Sequence, residues 1–343
     1  MADADFYLPD DLWERICTFL NDEDGKDNNC YLKYVSLVSK KFPAITNSIR
    51  FSLTIRKETR PFLTPIFHRF PNLTSLDLSR FRGNYRVDRN TFLTEISCYP
   101  LNITLLNFAN SALIPLNGLR LLISDCFSLL EELHLSKPAI FHGDFLNGMD
   151  TLSLAIPKLR KVNLSRHTYL NDQLLFQLFN NWKLLEEVII FDCTGITDVG
   201  IASALRVRPT LRSLSFHKFF KSDNISTLFV LIKSCTSLMK LCKLRHLNLA
   251  HCSKVKLCGV NFEVPKLEVL NLSYTGVDNE ELYLISKSCR RLLQLLLEHC
   301  YYVTKRGVNH VVENCTQLRE INLKNCYKVT LSPTFHKGTM ASN

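Results

Sequence analysis

The chain has 343 residues, and no run of about 18 consecutive apolar ones occurs among them, which excludes an ordinary membrane-spanning helix. It also lacks the basic and then apolar opening of a secretory leader. Met1-Ala2-Asp3-Ala4-Asp5 is acidic and no apolar run precedes Pro9, so a secreted protein is not expected. There are 13 cysteines, an odd number, but they are scattered and no Cys-x-x-Cys pair offers a zinc site. They read as reduced thiols, which places the protein in the cytoplasm and/or nucleus. Six Asn-x-Ser/Thr sequons (Asn72, Asn102, Asn163, Asn224, Asn271, Asn314) would suit an ectodomain, yet without a leader they read as chance. P-loop, Gly-x-Gly-x-x-Gly and His-Glu-x-x-His patterns are missing, as is any Ser-His-Asp set, so no catalytic residue, metal or cofactor is expected. Long Lys/Arg runs are missing too, which argues against nucleic acid as the partner.

What the chain does have is one short phrase, repeated: an apolar residue, two variable ones, a Leu, Ile or Val, one variable, and another apolar residue. The phrase opens at Leu73, Ile103, Leu130, Leu159, Leu185, Leu211, Leu244, Leu267, Leu292 and Leu318, at intervals of 23 to 33 residues. Such a period and pattern define an α/β fold, a leucine-rich-repeat solenoid or horseshoe, each repeat a strand with a helical or irregular return. The alternation sends the last two apolar residues of each phrase inward. The residue between them faces the concave side. Down the repeats these are Asp77, Asn107, His134, Asn163, Ile189, Ser215, Asn248, Asn271, Leu296 and Asn322, half of them Asn and so a neutral polar floor.

Two cysteine series follow the same register. Cys193, Cys252, Cys300 and Cys326 each stand three residues after the last apolar position of a phrase. Cys126, Cys235, Cys289 and Cys315 come near the end of a return segment. Both predict buried, inert thiols. The interval from Leu211 to Leu244 is long by about seven residues, a loop-out. The pattern stops at Val329-Thr330 with no capping helix in the polar stretch beyond, so the last strand is expected to be an open edge.

Charge is unevenly spread. Residues 1–29 hold nine acidic and two basic side chains, a net −7, and residues 30–343 hold 40 basic and 23 acidic, a net +17. Two surfaces for two partners are implied. On the basic part, the loops after the strands carry Arg80, Arg82 and Tyr85, then Arg166 and His167, then Lys218, Phe219 and Phe220, and later Tyr274 and Tyr301, with Tyr302 and Tyr327 on the same edge. Repeats align equivalent loops, so these form a basic and aromatic rim of the residue types that anchor interfaces. An acidic or phosphorylated protein segment would complement it.

The first fifty residues have another character. In Leu8-Pro9-Asp10-Asp11-Leu12-Trp13-Glu14-Arg15-Ile16-Cys17-Thr18-Phe19-Leu20, Pro9 suits a first turn and the acids suit the positive helix end. Leu12, Ile16, Phe19 and Leu20 share one face. A polar link from Asn21 to Asn29 precedes a second helical pattern, Tyr31 to Phe42. Pro43 stops or kinks that pattern, and Ala44 to Ile49 offers one more helical turn.

Leu8-Pro9 with its helix, followed by Ser36-Leu37-Val38-Ser39-Lys40-Lys41-Phe42, resembles an F-box over about residues 6–50. Joined to the repeats, the whole chain resembles the F-box/leucine-rich-repeat proteins, particularly those of plants. The resemblance implies a non-catalytic adaptor with residues 6–50 as F-box, 51–331 as about ten repeats and 332–343 as a polar tail. It implies docking on a Skp-family linker, and through it a cullin–RING ligase, with Leu8, Pro9, Leu12, Ile16, Val38 and Phe42 at or beneath the docking face. The repeats would then recruit a target protein for ubiquitination and proteasomal degradation. A bare solenoid cap is the alternative for residues 1–50. A ligase-independent scaffold or inhibitor is the alternative for the whole chain.

Overall fold

The computed structural model describes residues 8–22, 30–81, 86–110, 128–136, 145–217, 243–252 and 264–330. Eleven parallel strands form a single sheet in strict chain order. They are β1 Ser52–Thr54, β2 Ser75–Asp77, β3 Leu105–Asn107, β4 Glu132–His134, β5 Lys161–Asn163, β6 Glu187–Phe191, β7 Ser213–His217, β8 His246–Asn248, β9 Val269–Asn271, β10 Gln294–Leu296 and β11 Glu320–Asn322. Every pairing keeps one register. Leu53, Leu76, Leu106, Leu133, Val162, Val188, Leu214, Leu247, Leu270, Leu295 and Ile321 stack as one column. With the flanking Leu73/Leu78, Ile103/Phe108 and their equivalents they make one continuous core. This is the leucine-rich-repeat solenoid the period predicts.

The sequence pattern predicts ten strands, and the structure has one more. β1 escapes the pattern because Arg50 stands where the phrase begins with an apolar residue. Its guanidinium lies over the Phe70 ring, 5.0 Å from the centroid, so a cation with a long apolar stem fills that place.

Return segments on the other side include α4 Leu63–Arg69, α5 Arg86–Ser97, α6 Phe145–Ala155, α7 Asp172–Asn181, α8 Asp198–Val207, α9 Asn279–Ser288 and α10 Lys305–Asn314, with a 3₁₀ turn at Lys57–Phe62. They are tied repeat to repeat through their N-termini. Asp172 Oδ1 accepts from Thr197 N (2.7 Å), and Asn279 Oδ1 accepts from Thr304 N (3.0 Å) and Gly307 N (3.2 Å). The first residue of one helix thereby caps the next. Gly200 and Gly307 leave room for these caps: a Cβ would lie 1.9 Å from Asp172 Oδ1 and 2.5 Å from Asn279 Oδ1.

Both cysteine series are ladders in the core where they are described. Cys193, Cys252, Cys300 and Cys326 donate to the carbonyls of Leu164 (3.1 Å), Phe216 (3.7 Å), Leu272 (3.1 Å) and Leu297 (2.9 Å) in the preceding repeat. Cys289 and Cys315 cap α9 and α10, with Cys315 donating to the Cys289 carbonyl (3.4 Å). Burial pushes Cys289 up to about 12 and Cys315 and Cys326 up to about 11. Cys126 and Cys235 lie outside the described residues, as does most of the long interval before Leu244. At the other end, one helical turn, α11 Tyr327–Thr330, follows β11.

Residues 8–22 and 30–50 form a helical unit of α1 Asp10–Asp22, α2 Cys30–Val35 and α3 Phe42–Ser48. The second helical pattern divides differently from the sequence expectation. The chain turns at Ser36–Val38, and Pro43 opens α3 instead of closing α2, because proline's missing N–H costs nothing in a first turn. Among the described residues Cys17, Leu32 and Ile49, with Val35 against them, cluster as this unit's own core, and Ile45 and Thr46 of α3 are buried as well. Asn72 Nδ2 to Ser48 O (2.9 Å) and Arg69 Nε to Asn47 Oδ1 (3.1 Å) join it to the first repeats.

Candidate interaction surfaces

The apolar face expected on α1 is not turned inward. Leu12 and Ile16 are exposed, Phe19 is 63% exposed, and in the turn after α2 Leu37 and Val38 are 75% and 74% exposed, with Tyr34 beside them in the sequence. Single exposed apolar residues are ordinary, but six in one small helical unit are not. Pro9 is exposed and Leu8 half-buried. Phe42 lies beneath: half-buried, its ring meets Trp13 edge-on at 4.9 Å and braces α3 against α1. Glu14 Oε1 accepting from Ser48 Oγ (3.0 Å) and the Lys41–Asp10 ion pair hold the same arrangement.

On the repeats, the chain leaves each strand by one device. The side chain at the strand's end accepts from the backbone N–H two residues on: Asp77 from Ser79 (2.8 Å), Asn107 from Ala109 (2.9 Å), Asn163 from Ser165 (3.0 Å), Asn248 from Ala250 (3.1 Å), Asn271 from Ser273 (2.9 Å) and Asn322 from Lys324 (3.0 Å). The expected polar floor of Asn is therefore largely a column of Asx turns, its acceptors already engaged.

The next residue adopts a left-handed backbone. Asn110, Arg166, Asp192, His251, Tyr274, His299 and Asn325 all have φ between 52° and 63°. Each stands three positions after the concave residue of its repeat. This turns the chain onto the rim while the N–H still reaches the neighbouring repeat, as from Tyr274 to Glu298 O (2.7 Å) and from His299 to Lys324 O (2.9 Å).

That row contains the chief aromatic cluster of the rim. The Tyr274 ring is stacked between His251 (4.3 Å, 10°) and His299 (4.5 Å, 21°). His299 Nδ1 bonds the Tyr301 hydroxyl (2.9 Å), and Tyr301 in turn stacks near-parallel on Tyr327 at 6.3 Å. Asn325 Nδ2 donates to His299 Nε2 (2.7 Å). Glu298 sits among them, accepting from Tyr274 OH (3.4 Å) and lying 3.9 Å from Lys324 Nζ. Loss of solvent around the hydroxyl, and then the charge and bond of Glu298, raise the Tyr274 pKa.

Of the expected rim residues, Tyr274 and Tyr301 are thus brought together through His299. Arg166 occupies the same row several repeats away, and Arg80 stands at the equivalent position without the left-handed backbone; both are exposed, with Arg166 Nε 3.6 Å from Asp192 Oδ2. His167 is a correction: it is 1% exposed, and its Nε2 donates to Leu135 O (2.8 Å). Burial holds its imidazole down to about 4. His167 stands where Cys193 and Cys300 stand in other repeats, and the core has use for one inward donor there. Arg82, Tyr85, Lys218, Phe219 and Phe220 lie outside the described residues.

His251 and His299 escape notice in the sequence because no aromatic run marks them, although counting three residues from each concave position finds both. Equally hidden is a charge ladder where the strands begin: Glu131–Arg160 (3.8 Å), Arg160–Glu186 (2.9 Å), Glu186–Arg212 (3.7 Å) and Arg245–Glu268 (2.6 Å). Exposed pairs of this kind add little stability, but they neutralise one another. Three arginines, Arg160, Arg212 and Arg245, are paired in this way. Among the described residues no three or more His, Cys, Asp or Glu gather to hold a metal ion, and no helix is long and apolar enough to cross a membrane.

No protein-family profile matches the chain. Solved structures with a similar backbone include a chain of the Rad7–Elc1 complex of yeast (16% identical, 88% of this chain and 81% of that one, TM-score 0.45). Others are a Bacteroides fragilis protein (12%, 74% and 66%, 0.41) and a leucine-rich-repeat protein of Leptospira interrogans (15%, 83% and 80%, 0.37). The fold class rests on the eleven-strand sheet and its ladders.

Proposed function

We propose that this chain is the substrate-recruiting subunit of an SCF-type ubiquitin ligase. Residues 6–50 act as an F-box on a Skp-family linker, which joins them to a cullin–RING ligase. Residues 51–331 hold the target protein, and 332–343 form a tail. The observation that carries this reading is the outward apolar face of Leu12, Ile16, Phe19, Leu37 and Val38, which the unit's small core leaves without a cover. A solenoid cap would instead turn its apolar residues toward the repeats.

The chain makes and breaks no bond itself. It raises the local concentration of target lysines near the charged thioester of a conjugating enzyme. Hydrogen exchange on the chain bound to a Skp-family linker tests this. Protection is expected at residues 10–19 and 34–42. Protection confined to the repeats, or none, contradicts it.

A further inference from the structure

We infer that the ring ladder His251–Tyr274–His299, with Tyr301, Lys324 and Lys328 beside it, is a docking strip for an extended anionic segment of a partner protein, carboxylate-rich or phosphorylated. The inference rests on reading the rim as the partner-holding surface and does not depend on how residues 6–50 dock.

Three observations converge. First, three successive repeats place an aromatic ring at a left-handed position; the backbone tolerates His there as it does Asn, but a bulky Tyr at 274 costs roughly 1 kcal/mol or more. Asn fills that position at Asn110 and Asn325, so the backbone alone would be served by Asn. Strain held at Tyr274, between two neighbours that carry little, points to a use for its ring beyond the turn. Tyr274 is nevertheless 40% exposed, so core packing does not account for its ring.

Second, stacking sets the chemistry presented. Both faces of Tyr274 are covered by imidazoles at 4.3 and 4.5 Å, so the exposed part is ring edge, with its positive C–H rim and polar hydrogens. Edges of this kind attract anions and oxygen acceptors. Bases of a single-stranded nucleic acid need open ring faces, and both faces of Tyr274 are taken.

Third, cations flank the strip. Lys324 is well exposed, and Lys328 Nζ lies 5.5 Å from the Tyr302 ring centroid. Glu298 already occupies an acceptor place between Tyr274 OH and Lys324. It is an internal example of the carboxylate a partner would bring.

The test titrates the full chain into three labelled peptides of equal length: alternating Ser-Asp, the same frame with phosphoserine, and alternating Ser-Asn. An anionic peptide is expected to bind at least about tenfold more tightly than the Ser-Asn peptide, and raising salt should weaken it. Binding of both anionic peptides means carboxylates suffice. Binding of the phosphoserine peptide alone means a phosphorylated segment. The triple substitution His251→Asn, Tyr274→Asn, His299→Asn keeps a residue that suits the backbone, and should weaken binding about tenfold while the thermal midpoint stays close to the parent's. Should that variant not fold, Lys324→Glu with Lys328→Glu is expected to give the same loss, and Glu298→Gln a gain.

Wild-type affinity in the ring variant, equal binding of the Ser-Asn peptide, or no peptide binding overturns the inference. So does an oligothymidylate that binds the strip and is lost with the rings. Retained binding to a Skp-family linker in the same variant separates failure here from failure of the adaptor reading.

Discussion

His167 and Cys193 hold the same place in adjacent repeats and make the same bond. Each donates inward to the carbonyl of the last apolar residue of the repeat before, Leu135 at 2.8 Å and Leu164 at 3.1 Å. An imidazole and a thiol differ in size and shape and share one donor, and the solenoid uses that donor.

Acid should therefore weaken the fold at His167. The native imidazole is held down to about 4 by burial, against an ordinary value of about 6.5, so between these limits the unfolded chain takes up a proton that the native one refuses. Its contribution is full above pH 6.5 and is lost as the pH falls toward 4, by roughly 3 kcal/mol in all. Urea unfolding measured across this range should show the decline, and His167→Cys should flatten it. An unchanged slope in that variant would locate the acid sensitivity elsewhere.

How much of this was legible beforehand follows from what each signal measures. The phrase Leu-x-x-Leu-x-Leu reports burial, and burial decides the column from Leu76 to Ile321, so the solenoid and its register were readable. The thiol ladders were readable for the same reason. His167 was misplaced because a basic, aromatic loop, Arg166-His167-Thr168-Tyr169, looks like a surface, whereas its position within the repeat already pointed inward. β1 was missed because Arg50 interrupts the phrase. On α1 the periodicity identified an apolar face correctly but says nothing of which way that face turns. Only the packing of Cys17, Leu32 and Ile49 decides that.

Thiol reactivity should separate the described cysteines sharply. Cys98 is exposed, whereas Cys193, Cys252, Cys289, Cys300, Cys315 and Cys326 are buried. Site-resolved mass spectrometry after brief alkylation of the native chain should find Cys98 modified first, and the ladder thiols only on unfolding. Early labelling at Cys300 or Cys326 would contradict the ladder.

Gly200→Ala and Gly307→Ala should each destabilise by about 1–3 kcal/mol, as overpacking does. In an ordinary helix interior the same change stabilises by up to about 1 kcal/mol, so the sign is diagnostic. The added methyl meets Asp172 in one case, and Asn279, including its Cα at 3.1 Å, in the other. Thermal unfolding measures both.

Arg208 is a buried cation. Its guanidinium donates to the Phe179 carbonyl and to Asn180 O (2.9 Å), the last carbonyls of α7, and burial lowers its pKa. Arg208→Met keeps much of the stem and removes the donors, leaving those carbonyls unsatisfied. A loss of about 1–3 kcal/mol is expected from chemical denaturation.

The central claim is that the outward apolar face of residues 8–50 docks on a Skp-family linker. Its most direct test is the dissociation constant of the full chain for that linker, compared with a variant carrying Leu12→Asp and Val38→Asp. Both positions are exposed, so the variant should fold. Tight binding weakened by about a hundredfold or more in the variant is the predicted result. A folded wild-type chain that does not bind, or a variant that binds equally well, would contradict the account and leave the repeats as a scaffold acting without the ligase.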